Sequence, residues 1–209
     1  MRFPRFPLGL ALILFSTATA AAQSLSPLES GILHVLNRVR SDPAAYAASL
    51  REQRRYYRGD LFTLPGQISI QTQEGVRALD EAVAALRSFR NPLGALSASH
   101  GLTRSAAEHA RDTGARGLLG HQGSGGSTLA QRISRFGEWS GGIGEDISYG
   151  EADPQAVVSQ LLIDDGVPGR GHRKSLLDPN WRLIGIACGP HATYRHMCVL
   201  DLAVGYREK

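Results

Sequence analysis

The sequence has only two cysteines, no internal repeat and no long apolar run beyond its N-terminal segment. A membrane-spanning helix needs about 20 consecutive apolar residues, so the chain is not expected to remain inserted in a membrane once that segment is removed. The formal net charge is +4, but basic residues alternate with acidic ones and form no stripe interleaved with aromatics. Nucleic acid is therefore not expected as a partner.

The N-terminal segment has the order of a secretory signal peptide. Two arginines precede an apolar run over residues 8–17, and small residues follow up to Ala22. This pattern predicts that residues 1–22 are a signal peptide and that the protein is secreted, either to the periplasm or to the extracellular medium. An uncleaved anchor is the alternative. Residues 23–209 have the length of a single domain.

The two cysteines, Cys188 and Cys198, lie in two β-rich runs on either side of a Gly-Pro turn region. In an exported chain an even pair of cysteines favours a disulfide, here one that joins the facing strands of a hairpin. Two buried free thiols are the alternative. Metal ligation is disfavoured because the cysteines are ten positions apart and form no CxxC motif.

Apolar residues recur at helical spacing in the first two thirds of the chain. They predict helices over residues 29–40, 73–89, 97–113 and 153–163, with a further short helix that begins at Pro43. Residues 51–72 are polar and rich in turn formers and show no clear pattern. Because helices come first and strands cluster late, the predicted fold class is α+β, with helices packed on a small antiparallel sheet.

Polar, titratable residues stand among glycines in several segments that we expect to be loops. These segments carry His121, Glu145, Asp164, Asp165 and His172. We expect these five residues to line one polar binding cleft. Such positions expose backbone to a ligand, which makes them the candidate site.

Three motifs occur in order along the chain: Gly-His121-x-Gly-Ser124, Gly144-Glu145-Asp146-Ile147 and Gly171-His172-Arg173. In this order and spacing they resemble the CAP superfamily (cysteine-rich secretory proteins, antigen 5 and pathogenesis-related proteins). Each motif is weak alone, and their joint order makes the resemblance specific. It covers about residues 28–204 and is typical of a bacterial-type secreted member with an SCP domain.

The resemblance implies an α-β-α sandwich with a central cleft that two histidines and two acids line. His121 and His172 match the histidines, and Glu145 matches the first acid. The second acid departs from the family pattern, so Asp164 or Asp165 is expected to take its place. The helix over residues 73–89 resembles an addition found in only part of the superfamily.

Two imidazoles with carboxylates support three kinds of chemistry. They can bind a divalent metal such as zinc through His121, His172 and Glu145, act as an acid–base pair, or form a structural hydrogen-bond network. The main functional hypothesis is an extracellular binding module for a lipid, a cell-wall component or a protein. The alternative is a zinc-assisted hydrolase of extracellular peptides or cell-wall polymers, with Glu145 as general base.

Other polar residues are interpreted as structural. His109 lies on the apolar face of its helix and is expected to be packed and hydrogen-bonded. Asp146 is expected to make a turn or cap hydrogen bond. Arg170 and Arg173 have Asp164 and Asp165 as expected salt-bridge partners.

Overall fold

The computed structural model describes residues 24–209, so the predicted signal peptide lies outside the described residues. Seven α-helices lie in this range: α1 (Pro27–Ser41), α2 (Pro43–Arg51), α3 (Val76–Ser88), α4 (His100–Gly114), α5 (Leu129–Ser134), α6 (Pro154–Ile163) and α7 (Gly171–Leu176). The strands are β1 (Tyr57–Arg58), β2 (Leu61–Phe62), β3 (Ile70–Gln71), β4 (Ser97–Ala98), β5 (Gly137–Tyr149), β6 (Leu183–His191) and β7 (Arg195–Glu208). A 3-10 helix, Glu52–Tyr56, joins α2 to β1. Among these residues, no helix has the length and apolar character needed to cross a membrane.

Five of the seven helices in residues 24–209 begin where a short polar side chain accepts a hydrogen bond from a free backbone N–H group, and α3 and α7 begin without such a cap. Ser26 and Glu29 form a capping box at the start of α1. Asp42, Ser99 and Asp153 accept such bonds at the starts of α2, α4 and α6. These local signals, together with the apolar spacing, explain why the predicted helices occur close to their expected positions.

The central sheet has four strands in the order β4-β6-β7-β5. Strands β6 and β7 form the predicted hairpin, in which Cys188 lies opposite Cys198. The disulfide between them is present, which confirms that prediction. Strand β5 pairs antiparallel with β7, whereas the two-residue strand β4 pairs parallel with β6. The sheet is thus antiparallel, as predicted, except at this edge.

Helices cover both faces of the central sheet. Ile184, Ile186 and Leu200 face a core that includes residues of α1, α2, α3 and α6. The residues next to these in each strand, such as Ala187 and Val199, point to the other face and pack against α4. Gly185 admits the backbone of α4, because a Cβ there would lie 2.1 Å from the carbonyl carbon of Leu102. The result is the α-β-α sandwich that the sequence predicted.

The glycine-rich segment around Glu145 is an edge strand, which corrects the expectation of a loop. Strand β5 keeps its pairing with β7 through a register shift between Ser140 and Ile143. Gly141 has φ +78° at this shift, a conformation that side chains with a Cβ rarely adopt. The strand therefore holds its polar residues at fixed positions along the sheet edge.

Residues 52–90, which include the helix expected from the resemblance to be an addition and which we call the added segment, lie on the α6 side of the domain. Its two-residue strands pair as β1-β2-β3, a small antiparallel sheet that we call the roof sheet (residues 57–72). Helix α3 follows and packs on α2 and α6. Its apolar face buries Leu79, Val83 and Leu86, as the predicted helix over residues 73–89 required.

Candidate functional site

Glu145 lies in β5 and is held by two basic side chains. The side chains of Glu145 and Arg132 are each 1% exposed, and Arg132 Nη2 donates to Glu145 Oε2 over 2.6 Å. His121 Nδ1 lies 3.0 Å from Glu145 Oε1. Arg132 also donates to the carbonyl oxygens of His121 and Ser127. The glycine-rich loop that carries His121 is therefore fixed to the edge strand through Arg132.

A second acid lies beside this cluster. Asp201 of β7 is fully buried and faces Glu145 in the strand register. Burial raises the pKa of Asp201 well above its ordinary value, and the charge of Glu145 raises it further. Burial also acts to raise the pKa of Glu145, but the His121 hydrogen bond and the Arg132 charge outweigh it and lower that pKa. These effects move the two pKa values apart, so that Glu145 is the more acidic member of the pair.

His172 and Asp164 form a second histidine–acid pair. Asp164 ends α6 in the left-handed region, with φ 57°, and this turns its carboxylate toward α7. Its Oδ1 lies 2.6 Å from His172 Nδ1, and its Oδ2 accepts the backbone N–H of His172 over 3.0 Å. The hydrogen bond to Asp164 raises the pKa of His172, and this effect outweighs the opposing effect of burial. Of the two aspartates left open by the sequence, Asp164 is the one that contacts the histidine.

Asp146 lies between the two pairs and is not a turn or cap residue, which corrects that expectation. It is 2% exposed in the middle of β5, and its side chain points to the opposite sheet face from Glu145. Burial raises the pKa of Asp146 to about 7, while a hydrogen bond with Ser175 and, to a smaller extent, the charges of His172 and His121 act to lower it. Both rings are therefore near enough to influence one buried carboxyl. The only signal in the sequence for Asp146 as a site residue was its position directly after Glu145.

Asp165 serves the added helix and not the histidines. Its carboxylate accepts the backbone N–H groups of Gln73 and Glu74 over 2.7 and 2.9 Å, just before α3 begins. Arg170 pairs with Glu74 and Glu81 of the same region, and not with Asp164 or Asp165 as expected.

Arg173 contacts Asp164 only through its backbone N–H, which donates to Asp164 Oδ2 over 3.4 Å, and its guanidinium does not form the expected salt bridge. It donates to the carbonyl oxygens of Leu162 and Ile163 near the end of α6 and to that of Ala78 in α3. The added segment thus contacts the chain on both sides of His172.

His109 fulfils its prediction, since it is fully buried and its Nε2 lies 2.9 Å from the Gly120 carbonyl oxygen.

The three residues expected to bind zinc do not fit a zinc site in this arrangement. Both oxygens of Glu145 are engaged, one by His121 and one by the buried cation Arg132. The nearest carboxylate to His172, that of Asp164, is likewise engaged by its Nδ1. Within residues 24–209, no group of three or more His, Cys, Asp or Glu is placed to hold a metal ion. We derive no step through a metal.

A cavity of about 850 Å³ opens beside the second pair. The roof sheet borders it on one side, and α6 with the end of β5 borders it on the other. Tyr57, Phe62 and Ile70 contribute apolar surface from the roof sheet, and His172 and Asp164 lie at its margin. His121 and Glu145 do not line it. The site therefore has two parts, a fixed polar cluster at the sheet edge and a cavity that the added segment covers.

The three-layer fold, with a histidine–acid pair on each side of an edge strand, defines an SCP-type α+β domain. Residues 36–202 match the model of the family described as CAP, the cysteine-rich secretory protein family. Since this match spans most of the sequence, the chain belongs to the CAP family. No curated protein matches the chain.

Two solved structures are similar to it. One is an extracellular protein containing an SCP domain from Bacillus anthracis, at 22% identity and a TM-score of 0.43, with 53% of this chain and 34% of that chain covered. The other is an outer surface protein from Borrelia burgdorferi, at 21% identity and a TM-score of 0.44, with 56% and 80% covered. The match thus spans about a third of the Bacillus protein's length.

Proposed function

We propose that the protein is a secreted binding module whose ligand occupies the cavity between the roof sheet and α6. The observation that supports this proposal is the cavity itself, in which apolar side chains of the roof sheet and α6 lie beside polar ones and His172 and Asp164 lie at the margin. Its volume of about 850 Å³ is within the range of small-molecule sites in proteins. The signal-like order of residues 1–22 supports secretion.

Among the three ligand classes expected from the sequence, the cavity favours a small lipid-like molecule. A folded protein partner would contact an extended surface, and a cell-wall polymer would need an open groove. The cavity instead lies between two layers, and apolar side chains of Phe62, Ile70 and Leu161 are among those that line it. Burial of apolar ligand surface there is the expected source of affinity.

The zinc-hydrolase alternative is less well supported. Glu145 would have to leave Arg132 and His121 to act as a general base. Ser124 is held by Asp112, which accepts its backbone N–H over 2.7 Å and is also hydrogen-bonded to its hydroxyl. Neither residue is free for chemistry in this arrangement.

Filling the cavity tests the proposal. Ala156 lines it and is partly exposed, so Ala156→Phe places a ring in the cavity without overpacking the core. We expect N-phenyl-1-naphthylamine, an uncharged apolar fluorophore, to bind the native protein saturably. Ala156→Phe should weaken this binding about tenfold or more, since it removes over 1.4 kcal/mol of binding free energy. Ala48→Phe, on the exposed face of α2, is the matched control and should leave binding unchanged.

Equal binding by the native protein and both variants would overturn the proposal. A parallel measurement addresses the alternative. A ligand of the native state raises the melting temperature. If micromolar zinc raised it in the native protein, and not in a His121→Ala/His172→Ala double variant, the hydrolase alternative would be favoured over the binding module.

A further inference from the structure

The charges around the cavity are of one sign. Four carboxylates line it, those of Glu151, Asp153, Asp164 and Asp165. Among the described residues that border the cavity, none is lysine or arginine. This contrasts with the basic balance of the whole chain. The cavity is therefore an acidic site on a basic protein.

Three of these carboxylates already have partners. Asp153 accepts the backbone N–H of Ala156 over 2.9 Å at the start of α6. Asp164 is paired with His172, and Asp165 accepts two backbone N–H groups before α3. The positive charge that His172 can carry is thus offset by Asp164. None of these groups needs a ligand.

Glu151 differs from the other three. It is partly buried, and within residues 24–209 it has no hydrogen-bond or ion-pair partner. Burial raises the pKa of Glu151, and the nearby charge of Asp153 raises it further. A carboxylate in this position is stabilised by a cation that arrives with a ligand, because a charge-assisted hydrogen bond replaces lost hydration.

The opposite wall supplies the apolar part of the site. Tyr57 and Phe62 stack with ring centroids 4.8 Å apart, and Leu64 and Ile70 extend this surface along the roof sheet. An apolar chain or ring placed here would share the cavity with Glu151, which lines it from the segment between β5 and α6. A carboxylate-bearing ligand such as a fatty acid would meet like charge in the same position.

We infer that the ligand is a small amphiphile that carries a protonated amine, with its apolar body against the roof sheet and its ammonium group on Glu151. This inference rests on the proposed function, since it names the ligand class of the same cavity. The cavity volume of about 850 Å³ suits a single small molecule of this kind.

The test is displacement of bound N-phenyl-1-naphthylamine from the full-length mature protein at neutral pH. The competitors are decylamine, decanol and decanoate, which share a chain length and differ in charge, and spermidine, a polyamine without an apolar chain. We expect decylamine to displace the fluorophore at about tenfold lower concentration than either decanol or decanoate, because a charge-assisted hydrogen bond is worth at least that factor. Spermidine should not displace it.

The variant Glu151→Gln should reduce the preference for decylamine over decanol to less than about threefold, since the charge-assisted bond is lost. Glu52→Gln, which removes an exposed carboxylate outside the cavity, is the matched control and should preserve the preference. Equal losses in the two variants would show a long-range charge effect and overturn the inference.

Different outcomes contradict the binding function and the ammonium preference. If the three ten-carbon competitors displaced the fluorophore equally, and Ala156→Phe still abolished binding, the ammonium preference would be wrong and the binding function would stand. If spermidine competed as well as decylamine, the apolar part of the inference would be wrong. If Ala156→Phe had no effect on any probe, the proposed function would fail and the inference with it.

Discussion

The two histidine–acid pairs differ in exposure, and this difference separates their roles. The His121 side chain is 56% exposed, but its partner Glu145 belongs to a buried cluster with Arg132. Removing one partner of such a buried ion pair leaves an uncompensated charge, which typically costs about 3–5 kcal/mol. The first pair therefore contributes to the stability of the fold. The second pair, His172 with Asp164, lies at the margin of the cavity. A change there is expected to alter the cavity more than the stability of the fold.

Asp164→Asn tests the electrostatic part of the second pair. The amide keeps the shape of the side chain and tolerates the left-handed conformation of this position. Because Asp164 is the main cause of the raised pKa of His172, we expect that pKa to fall in the variant. Titration of the His172 ring by NMR measures it. Asp165→Asn, which changes a carboxylate that contacts backbone near α3, is the control and should alter it much less.

The same pair gives the protein a pH-dependent stability with a defined sign. The folded-state pKa of His172 is above its ordinary value of 6.5, so the folded state binds the proton more tightly than the unfolded state. The stabilisation is fully present below pH 6.5 and is lost as the pH rises through the folded-state pKa. Asp164→Asn should flatten this part of the stability profile. An unchanged profile, together with an unchanged NMR titration, would contradict the assignment of the pair.

The choice between Asp164 and Asp165 could not be made from the sequence. Adjacent residues at a helix end differ in direction only through backbone dihedrals, and here Asp164 adopts φ 57°. Arg132 and Asp201 were also not assigned to the site, because they lie on other elements, α5 and β7, and meet Glu145 only in the folded domain. The two histidines and Glu145 were identified because their motifs are local.

At the scale of elements, the added segment and the second histidine are connected. Glu74 accepts the backbone N–H of Gly166 over 2.8 Å and also pairs with Arg170. Both partners lie in the loop between α6 and α7, which leads to His172. The addition therefore does more than extend the fold, since it fixes the approach to the candidate site.

Glu74→Gln tests this connection. The pKa of Glu74 is lowered to about 2 by the hydrogen bond from Arg170, together with the bond from Gly166. The variant should increase amide hydrogen exchange in residues 164–172 and at the start of α3, because the ionic contacts that hold them together are lost. Glu81→Gln, which changes a more exposed carboxylate bonded to the same arginine, should have a smaller effect. Equal protection in the native protein and Glu74→Gln would show that the loop is held by other contacts.

The elements themselves were predicted with uneven success, for physical reasons. For helices with an apolar stripe and a capping residue, such as α1 and α6, the predicted bounds lie within two residues of the observed ends. Strand β5 was not, since its glycines weaken the β pattern. One of them, Gly144, leaves room for Trp181, whose ring would lie 3.0 Å from a Cβ at that position. A contact between distant residues, and not local propensity, determines this part of the strand.

At the scale of the whole molecule, the order of helices and late strands was enough to predict a layered α+β domain. The three-layer form came from the family resemblance, and the sheet faces bear it out. The roof sheet was not predicted, because its strands are two residues long and give no periodicity. The cavity that it covers was missed for the same reason.

The disulfide contributes to the stability of the domain as a whole. It closes a loop with a sequence separation of 10 residues, for which loop-closure entropy gives about 2–3 kcal/mol. A Cys188→Ala/Cys198→Ala double variant should therefore have a melting temperature lower by about 4–12 °C. Scanning calorimetry measures it, and the reduced native protein should show a similar decrease. An unchanged melting temperature in both would mean that the hairpin is held fully by its backbone pairing and by the cores around it.

The roof sheet also bears on the rate at which a molecule reaches the cavity. Each of its strands has two residues, and Leu61, Ile68 and Ile70 remain exposed, so few buried contacts resist its local opening. The roof sheet can open locally while the central sheet stays folded and its disulfide stays intact. For a molecule bound in the cavity as proposed, we expect uptake and release to depend on this local opening equilibrium, and the residence time to be a property of the added segment. Changes confined to residues 57–72 would alter how long a molecule stays without altering the domain beneath.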